Sequence, residues 1–185
     1  MRYTHFKLMM CAVLTVSILC AIPIHASADS ARQLSRDAQI ELQKLYDKSA
    51  SAKALGEKAK GILVFPAIVK GGFMVGGQYG EGALLKSGTG AGYYSFISLS
   101  YGLQAGIQKY AYVMFFMTDA ALDYVEKTNG WELGAGPSIV VVDKGMAGGI
   151  STTTAKSDIY AFFLSQKGLM AGIGLQGAKI TRIDK

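Results

Sequence analysis

All 23 glycines of this 185-residue chain lie at or after position 56, and many of them are spaced by two: 80 and 82; 88, 90 and 92; 134 and 136; 172 and 174. In a strand, a spacing of two puts residues on one face. Pairs of this kind therefore leave patches of sheet without side chains, where a sheet can coil sharply or another element can cross closely. The body must then be a strongly bent sheet, and the glycine-free front is left to form helix.

The β reading of the body is clearest from Ile97 to Ile107. Ile97, Leu99, Tyr101, Leu103, Ala105 and Ile107 alternate with the small or polar Ser98, Ser100, Gly102, Gln104 and Gly106. This period of two predicts that the large set is a buried face and the small set a face that something approaches closely. Further strands are expected over 62–65, 73–79, 82–86, 110–117, 131–142, 157–164, 169–176 and 178–183, with turns at "KSGTG" (86–90), "DKG" (143–145) and "SQKG" (165–168). One helix interrupts them: Thr118 can cap "DAALDYVEK", and Asn129-Gly130 can end it. The expected class is α+β: a strongly curved antiparallel sheet, or a barrel-like one, with an N-terminal amphipathic helix and a helix near 118–128.

The front should be one helix from Ser30 to Leu55, capped by Ser30 and ended by Gly56. Ala31, Leu34, Ala38, Leu42, Leu45 and Ala52 form its apolar stripe, opposite Arg32, Arg36, Gln39 and Gln43. Two readings stay open for that stripe. It packs on the body, or Leu34, Leu42 and Leu45 face a membrane surface.

Residues 1–28 have the three zones of a cleaved secretory signal peptide: Arg2 and Lys7, the apolar stretch from Leu8 to Ile22, and Ala26-Ser27-Ala28. The apolar stretch is shorter than the roughly 20 residues a bilayer span needs, and Pro23 ends it. Lipidation at Cys20 is disfavoured by the bulky Leu19 before it. The expected product is a periplasmic protein in one domain, residues 29–185, with a helical part at 29–57 and a glycine-rich β part at 58–185.

Both cysteines (Cys11, Cys20) and both histidines (His5, His25) lie in the leading segment. Residues 29–185 thus offer no Ser-His-Asp or Cys-His nucleophile system, no disulfide and none of the usual zinc, copper or haem ligand sets. No metal site, catalytic residue or cofactor is expected. Removing Arg2 and Lys7 from the 19 Lys and Arg leaves 17 against 13 acidic residues, a net charge of +4. So small an excess either favours anionic partners or serves solubility alone.

"GIGLQG" at 172–177 spells the glycine pattern of a dinucleotide loop. Only eight residues follow it, too few for the helix and strand that such a loop requires, so no nucleotide partner is expected. The carboxylates Asp119, Asp123 and Glu126 sit at helical spacing, where a solvated face explains them more simply than an acid–base pair; a carboxylate hydrolase would need two acids in one cleft. Lys48, Lys53, Lys58, Lys60 and Lys70 collect where the front meets the body. They form a patch for phosphate headgroups, or they complement a helix dipole.

Three blocks occur in order: "KAKGILVFPAIVKGGFMVGGQYGEGALL" at 58–85, "DAALDYVEKTNGWELGAGPSIVV" at 119–141 and "SDIYAFFLSQKGLMAGIGLQGAKI" at 157–180. Together they resemble the SYLF domain, known from eukaryotic endocytic and actin-associated proteins and from exported bacterial proteins. The resemblance implies a non-enzymatic module that binds membrane lipids through a positive surface and an amphipathic N-terminal helix. It implies headgroup contacts from Lys58, Lys60, Lys70 and Lys167, to which the basic cluster itself adds Lys48 and Lys53. The implied partner is an anionic phospholipid membrane, phosphatidylglycerol or cardiolipin for an exported bacterial chain, with an envelope protein as the alternative and no nucleic acid.

Overall fold

The computed structural model describes residues 31–128, 130–142, 156–165, 168–169 and 177–185, leaving aside the side chains at 72–75, 100–106 and 168–169. The leading segment 1–28, Ser30, Asn129, "DKG" at 143–145, Lys167 and the "GIGLQ" part of the glycine motif lie outside these residues. In order, the elements are helices α1 (Ala31–Lys48) and α2 (Ala50–Gly56), strands β1 (Gly61–Lys86) and β2 (Thr89–Phe116), helix α3 (Asp119–Lys127), and strands β3 (Trp131–Glu132), β4 (Ile139–Val142), β5 (Ile159–Ser165), β6 (Gly168–Leu169) and β7 (Ala178–Ile183).

The fold is α+β, built on a strongly curled sheet, as the glycine spacing predicts. The separate strands expected over 62–86 are one strand of 26 residues, and those expected over 97–117 are part of one of 28. They pair antiparallel as one long hairpin, Gly61 opposite Phe116 at the base and Lys86 opposite Thr89 at the tip. The tip is the two-residue turn Ser87-Gly88, both at positive φ (49° and 78°). That is the turn geometry whose twist matches the strands it joins.

Twenty-six residues held straight would span roughly 86 Å, at about 3.3 Å per residue, whereas a chain of this length packs to a radius of gyration of about 16 Å. The hairpin must therefore bend back on itself, and two glycines let it do so. A Cβ on Gly80 would lie 2.7 Å from the Ala67 carbonyl oxygen, and one on Gly82 would lie 2.7 Å from that of Val64. Two stretches of β1 thus cross at backbone contact where neither Gly80 nor Gly82 carries a side chain. Register shifts between Phe65 and Ile68 and between Gly72 and Met74 supply the bends. Pro66 falls in the first of these, where its missing N–H costs no ladder bond.

The rest of the sheet adds to β2. β7 pairs with residues 93–98 and β5 with residues 111–116, while β3 extends β7. The expectation of a wholly antiparallel sheet needs correction, since β4 runs parallel to β5. Parallel pairing of two successive strands needs a crossover connection, which a tight hairpin cannot supply. Asp158 and Ser138 clamp the start of this pair. The Asp158 carboxylate accepts from the Ser138 N–H at 3.1 Å and its hydroxyl at 2.8 Å, and the Asp158 N–H donates back to Ser138 Oγ at 3.0 Å.

The central strands carry apolar side chains on both faces, hence the runs "YVMFF" and "IYAFFL". Leu63, Phe65, Phe96, Tyr112 and Phe163 line the inside of the curl, where α3 contributes Ala121, Leu122 and Val125. Tyr112 and Phe163 stack there with centroids 4.4 Å apart. Val64, Val113, Phe115 and Phe162 point to the other side, onto Leu34, Ala38, Leu42, Leu45, Ala52 and Leu55 of the helices.

The membrane-facing assignment of Leu34, Leu42 and Leu45 is therefore corrected, because the three side chains are closed off against the sheet, Leu45 fully so. Each buried leucine contributes on the order of 2 kcal/mol, and that holds α1 in place. The front is also two helices and not one. Ser49, in extended conformation, interrupts it and caps α2 by accepting from the Ala52 N–H at 3.2 Å. Thr118 caps α3 as expected, accepting from the Ala121 N–H.

Candidate lipid-binding surface

The alternation from Ile97 to Ile107 places strand correctly but assigns its faces the wrong way round. Ile97, Leu99 and Ile107 are exposed at 52, 65 and 82%, whereas Ser98 is buried. Ser98 faces into the curl with Gln78 opposite it, which accepts a hydrogen bond from the Tyr110 hydroxyl. Ile97, Leu99 and Ile107 belong to the face that holds Tyr93 at one end of β2 and Ala111, Val113 and Phe115 at the other. The helices cover both ends of this face and leave Ile97, Leu99 and Ile107 between them exposed.

Cross-strand neighbours explain how bare it is. Ile107 lies opposite Gly71, and Leu99 lies opposite Gly77. Neither partner has a side chain to shield the apolar group facing it. Val69 and Tyr79, 46 and 50% exposed, complete the surface, and Tyr79 lies opposite Ile97. This middle stretch of the β1–β2 hairpin, roughly 69–79 with 97–109, forms an arch between the base and the tip of the hairpin. Burial and its hydrogen bond to the Glu81 carboxylate push the Tyr79 hydroxyl above its ordinary pKa, so it is neutral at physiological pH.

A cleft of about 420 Å³ opens beside the arch, between the end of α1 and the sheet. Pro66, Ala111 and Leu164 supply its apolar lining, and Lys44, Lys48 and Lys109 its cations. Lys44 is bound at 2.7 Å to Glu41, which also lines the cleft. Neither Lys48 nor Lys109 meets a carboxylate among the described residues. Tyr110 also lines the cleft, but its hydroxyl is turned to Gln78 inside the curl, where burial holds it well above its usual pKa. Lys109 belongs to both features, lining the cleft and sitting opposite Val69 on the arch.

Of the described lysines expected at a headgroup site, Lys48 alone lines this cleft; Lys167 lies outside the described residues. Lys53, Lys58 and Lys60 are exposed but do not line it, and Lys60 sits 3.5 Å from Asp119 at the start of α3. Lys70 is half-buried on β1, opposite Gln108. Lys44 and Lys109 were missed. The first stands four residues before Lys48 on the same helical face, a spacing visible in the sequence. Lys109 continues the odd-numbered series 97, 99, 107 and becomes recognisable only once that face is known to be the outer one.

The acidic residues of α3 form no acid–base pair. Asp123 is bound to Lys127 at 2.5 Å and Glu126 to Lys86 at 2.7 Å. The hydrogen bond and charge of Lys127 hold the Asp123 carboxyl below its usual pKa. Among the described residues, no group of three or more His, Cys, Asp or Glu could hold a metal ion. No helix of the described residues is long and apolar enough to cross a membrane.

Residues 97–185 match the family model described as Ysc84, Las17-binding protein actin regulator. Over these residues the chain belongs to the SYLF family. The SYLF match begins inside β2 and takes in Ile97, Leu99, Ile107 and Lys109, together with the Leu164 side of the cleft; Lys44, Lys48 and all of β1 precede it. SYLF is a family of binding domains, and membership suggests a lipid-binding or actin-regulating module. No curated protein matches the chain.

Proposed function

We propose that this protein is a non-enzymatic module that attaches peripherally to anionic phospholipid in the cell envelope, delivered there by its leading segment. The observation that carries this reading is the cleft in which Lys44, Lys48 and Lys109 stand over an apolar lining. A phosphate-bearing headgroup would meet the ammonium groups while the upper part of its acyl chains lay along Pro66, Ala111 and Leu164. The expected ligands are phosphatidylglycerol or cardiolipin. Family membership and the net positive charge support the reading, and the carboxylates already bound to lysines on α3 support binding over catalysis.

Each cation near an anionic surface contributes on the order of 1 kcal/mol. Lys48→Gln with Lys109→Gln should therefore weaken partitioning onto phosphatidylglycerol-containing vesicles by roughly 30-fold, about 2 kcal/mol. Binding by the unaltered protein should also weaken as salt is raised. Co-sedimentation measures both. Equal binding to neutral and anionic vesicles would refute the electrostatic mechanism. A stable envelope protein recovered with the chain, while the purified protein ignores every vesicle, would replace it with a protein-interaction role.

A further inference from the structure

We infer that the arch of the β1–β2 hairpin is the element that enters the membrane interface, with α1 remaining packed on the sheet. The inference rests on the lipid-binding reading above and names the surface that performs it. Five apolar or aromatic side chains, Val69, Tyr79, Ile97, Leu99 and Ile107, stand 46 to 82% exposed on the arch. Several exposed apolar groups gathered on one face of a hairpin mark an interaction site.

The occupant is chosen by what surrounds that surface. Lys109 lies opposite Val69, and Lys179 of β7 lies opposite Ile97. Cations beside apolar groups are the pattern that suits an anionic bilayer, since lysine stems lie along the apolar zone while their ammonium groups reach the phosphates. The arch is also continuous with the cleft through Lys109, so one approach to the membrane serves both.

Backbone geometry fits a shallow insertion. Residues 99–102 and 106–109 of β2 pair with β1 alone among the described strands, so the arch is a two-stranded ribbon with an irregularity between them. Its cross-strand hydrogen bonds satisfy the groups between the strands, and the outer edges need the water or headgroups of the interface. The front helix offers little by comparison. Leu34, Leu42 and Leu45 are in the core, and Ile40 is the large apolar side chain of α1 that stands exposed.

The test uses the exported, processed protein with Cys11→Ser and Cys20→Ser, so that an introduced cysteine is the sole thiol whatever the processing. Leu99→Cys, Ile107→Cys and Ile40→Cys are each labelled with an environment-sensitive fluorophore. They are mixed with phosphatidylcholine vesicles, with and without phosphatidylglycerol, and with brominated lipid as quencher. The expected result is blue-shifted, quenched emission at 99 and 107 on anionic vesicles and unchanged emission at 40. In unlabelled protein, Leu99→Asp with Ile107→Asp should lower partitioning by about tenfold or more while the melting temperature holds.

Vesicle binding with quenching at 40 alone overturns the arch and leaves the lipid reading standing. Absence of binding to any vesicle overturns both. A blue shift at 99 and 107 that grows with protein concentration in the absence of vesicles makes the occupant a second copy of the chain and overturns the membrane assignment.

Discussion

Replacing Gly80 with alanine tests the feature on which the whole fold turns, the crossing of β1 over itself. The added Cβ would lie 2.7 Å from the Ala67 carbonyl oxygen, 2.8 Å from Ile68 Cγ1 and 3.1 Å from Ile68 Cα. Two of these are backbone atoms of the same strand, so relief requires parting the crossing and not merely rotating a side chain. Overpacking of this kind costs about 1–3 kcal/mol. Glycine-to-alanine replacement in a strand also returns roughly 0.5–1 kcal/mol of backbone entropy, which would blur a single measurement. Gly71→Ala removes that ambiguity, because its Cβ would meet nothing within 4 Å. The entropic gain is common to both variants and cancels in the comparison. Gly80→Ala should therefore be about 1–3 kcal/mol less stable than Gly71→Ala, or roughly 2–4 °C in melting temperature for each kcal/mol. Urea unfolding of the two proteins side by side measures it. Equal midpoints, with equal denaturant slopes, would show that the strand does not cross itself at Gly80 and would refute the account of the curl.

Leu45→Ala should destabilise the protein by about 2–5 kcal/mol while leaving vesicle binding by the folded protein unchanged, since Leu45 is enclosed against the sheet; a loss of binding without loss of stability would reinstate α1 as the anchor. Asp158 tests the clamp on the parallel pair through pH. Its carboxyl is held below the ordinary aspartate pKa, first by the Ser138 hydroxyl and then by the Ser138 N–H, so the ionised form is favoured in the folded state. Its stabilising contribution is then complete above the unfolded pKa of about 3.9 and is lost as pH falls through the folded value. Asp158→Asn should be less stable than the unaltered protein at pH 7, and the difference should shrink in acid, which urea midpoints across that range would reveal.

Much of the local structure was legible in the residues. Thr118 announced the start of α3, and the stripe through Leu34, Leu42 and Leu45 announced a helix with one apolar side. The glycine pair at 80 and 82 announced a close crossing, because no other residue lets two backbones touch. Signals of this sort are written in a few neighbouring positions and survive without knowledge of the rest of the chain. The interruption at Ser49 was less plain, since serine is tolerated in a helix and the apolar spacing runs through it. The parallel placement of β4 was hidden altogether, because four consecutive apolar residues carry no sign of strand direction.

The sequence by itself determined that residues 97–107 alternate, that the body is strand and the front helix, and that residues 29–185 lack histidine and cysteine and with them whole classes of chemistry. Only the tertiary structure decided which side of the alternating strand is out. A period of two is symmetric between the faces of a sheet, and the usual rule that the large residues turn inward chose the wrong one. Ser98 and Gln78, paired across the hairpin, are buried on the inner side near the Tyr110 hydroxyl, and the helices cover the outer face at its two ends while Ile97, Leu99 and Ile107 between them stay exposed. Ile97, Leu99 and Ile107 are left in the open, the last of them close to Lys109, and that placement makes the surface proposed to enter the membrane interface.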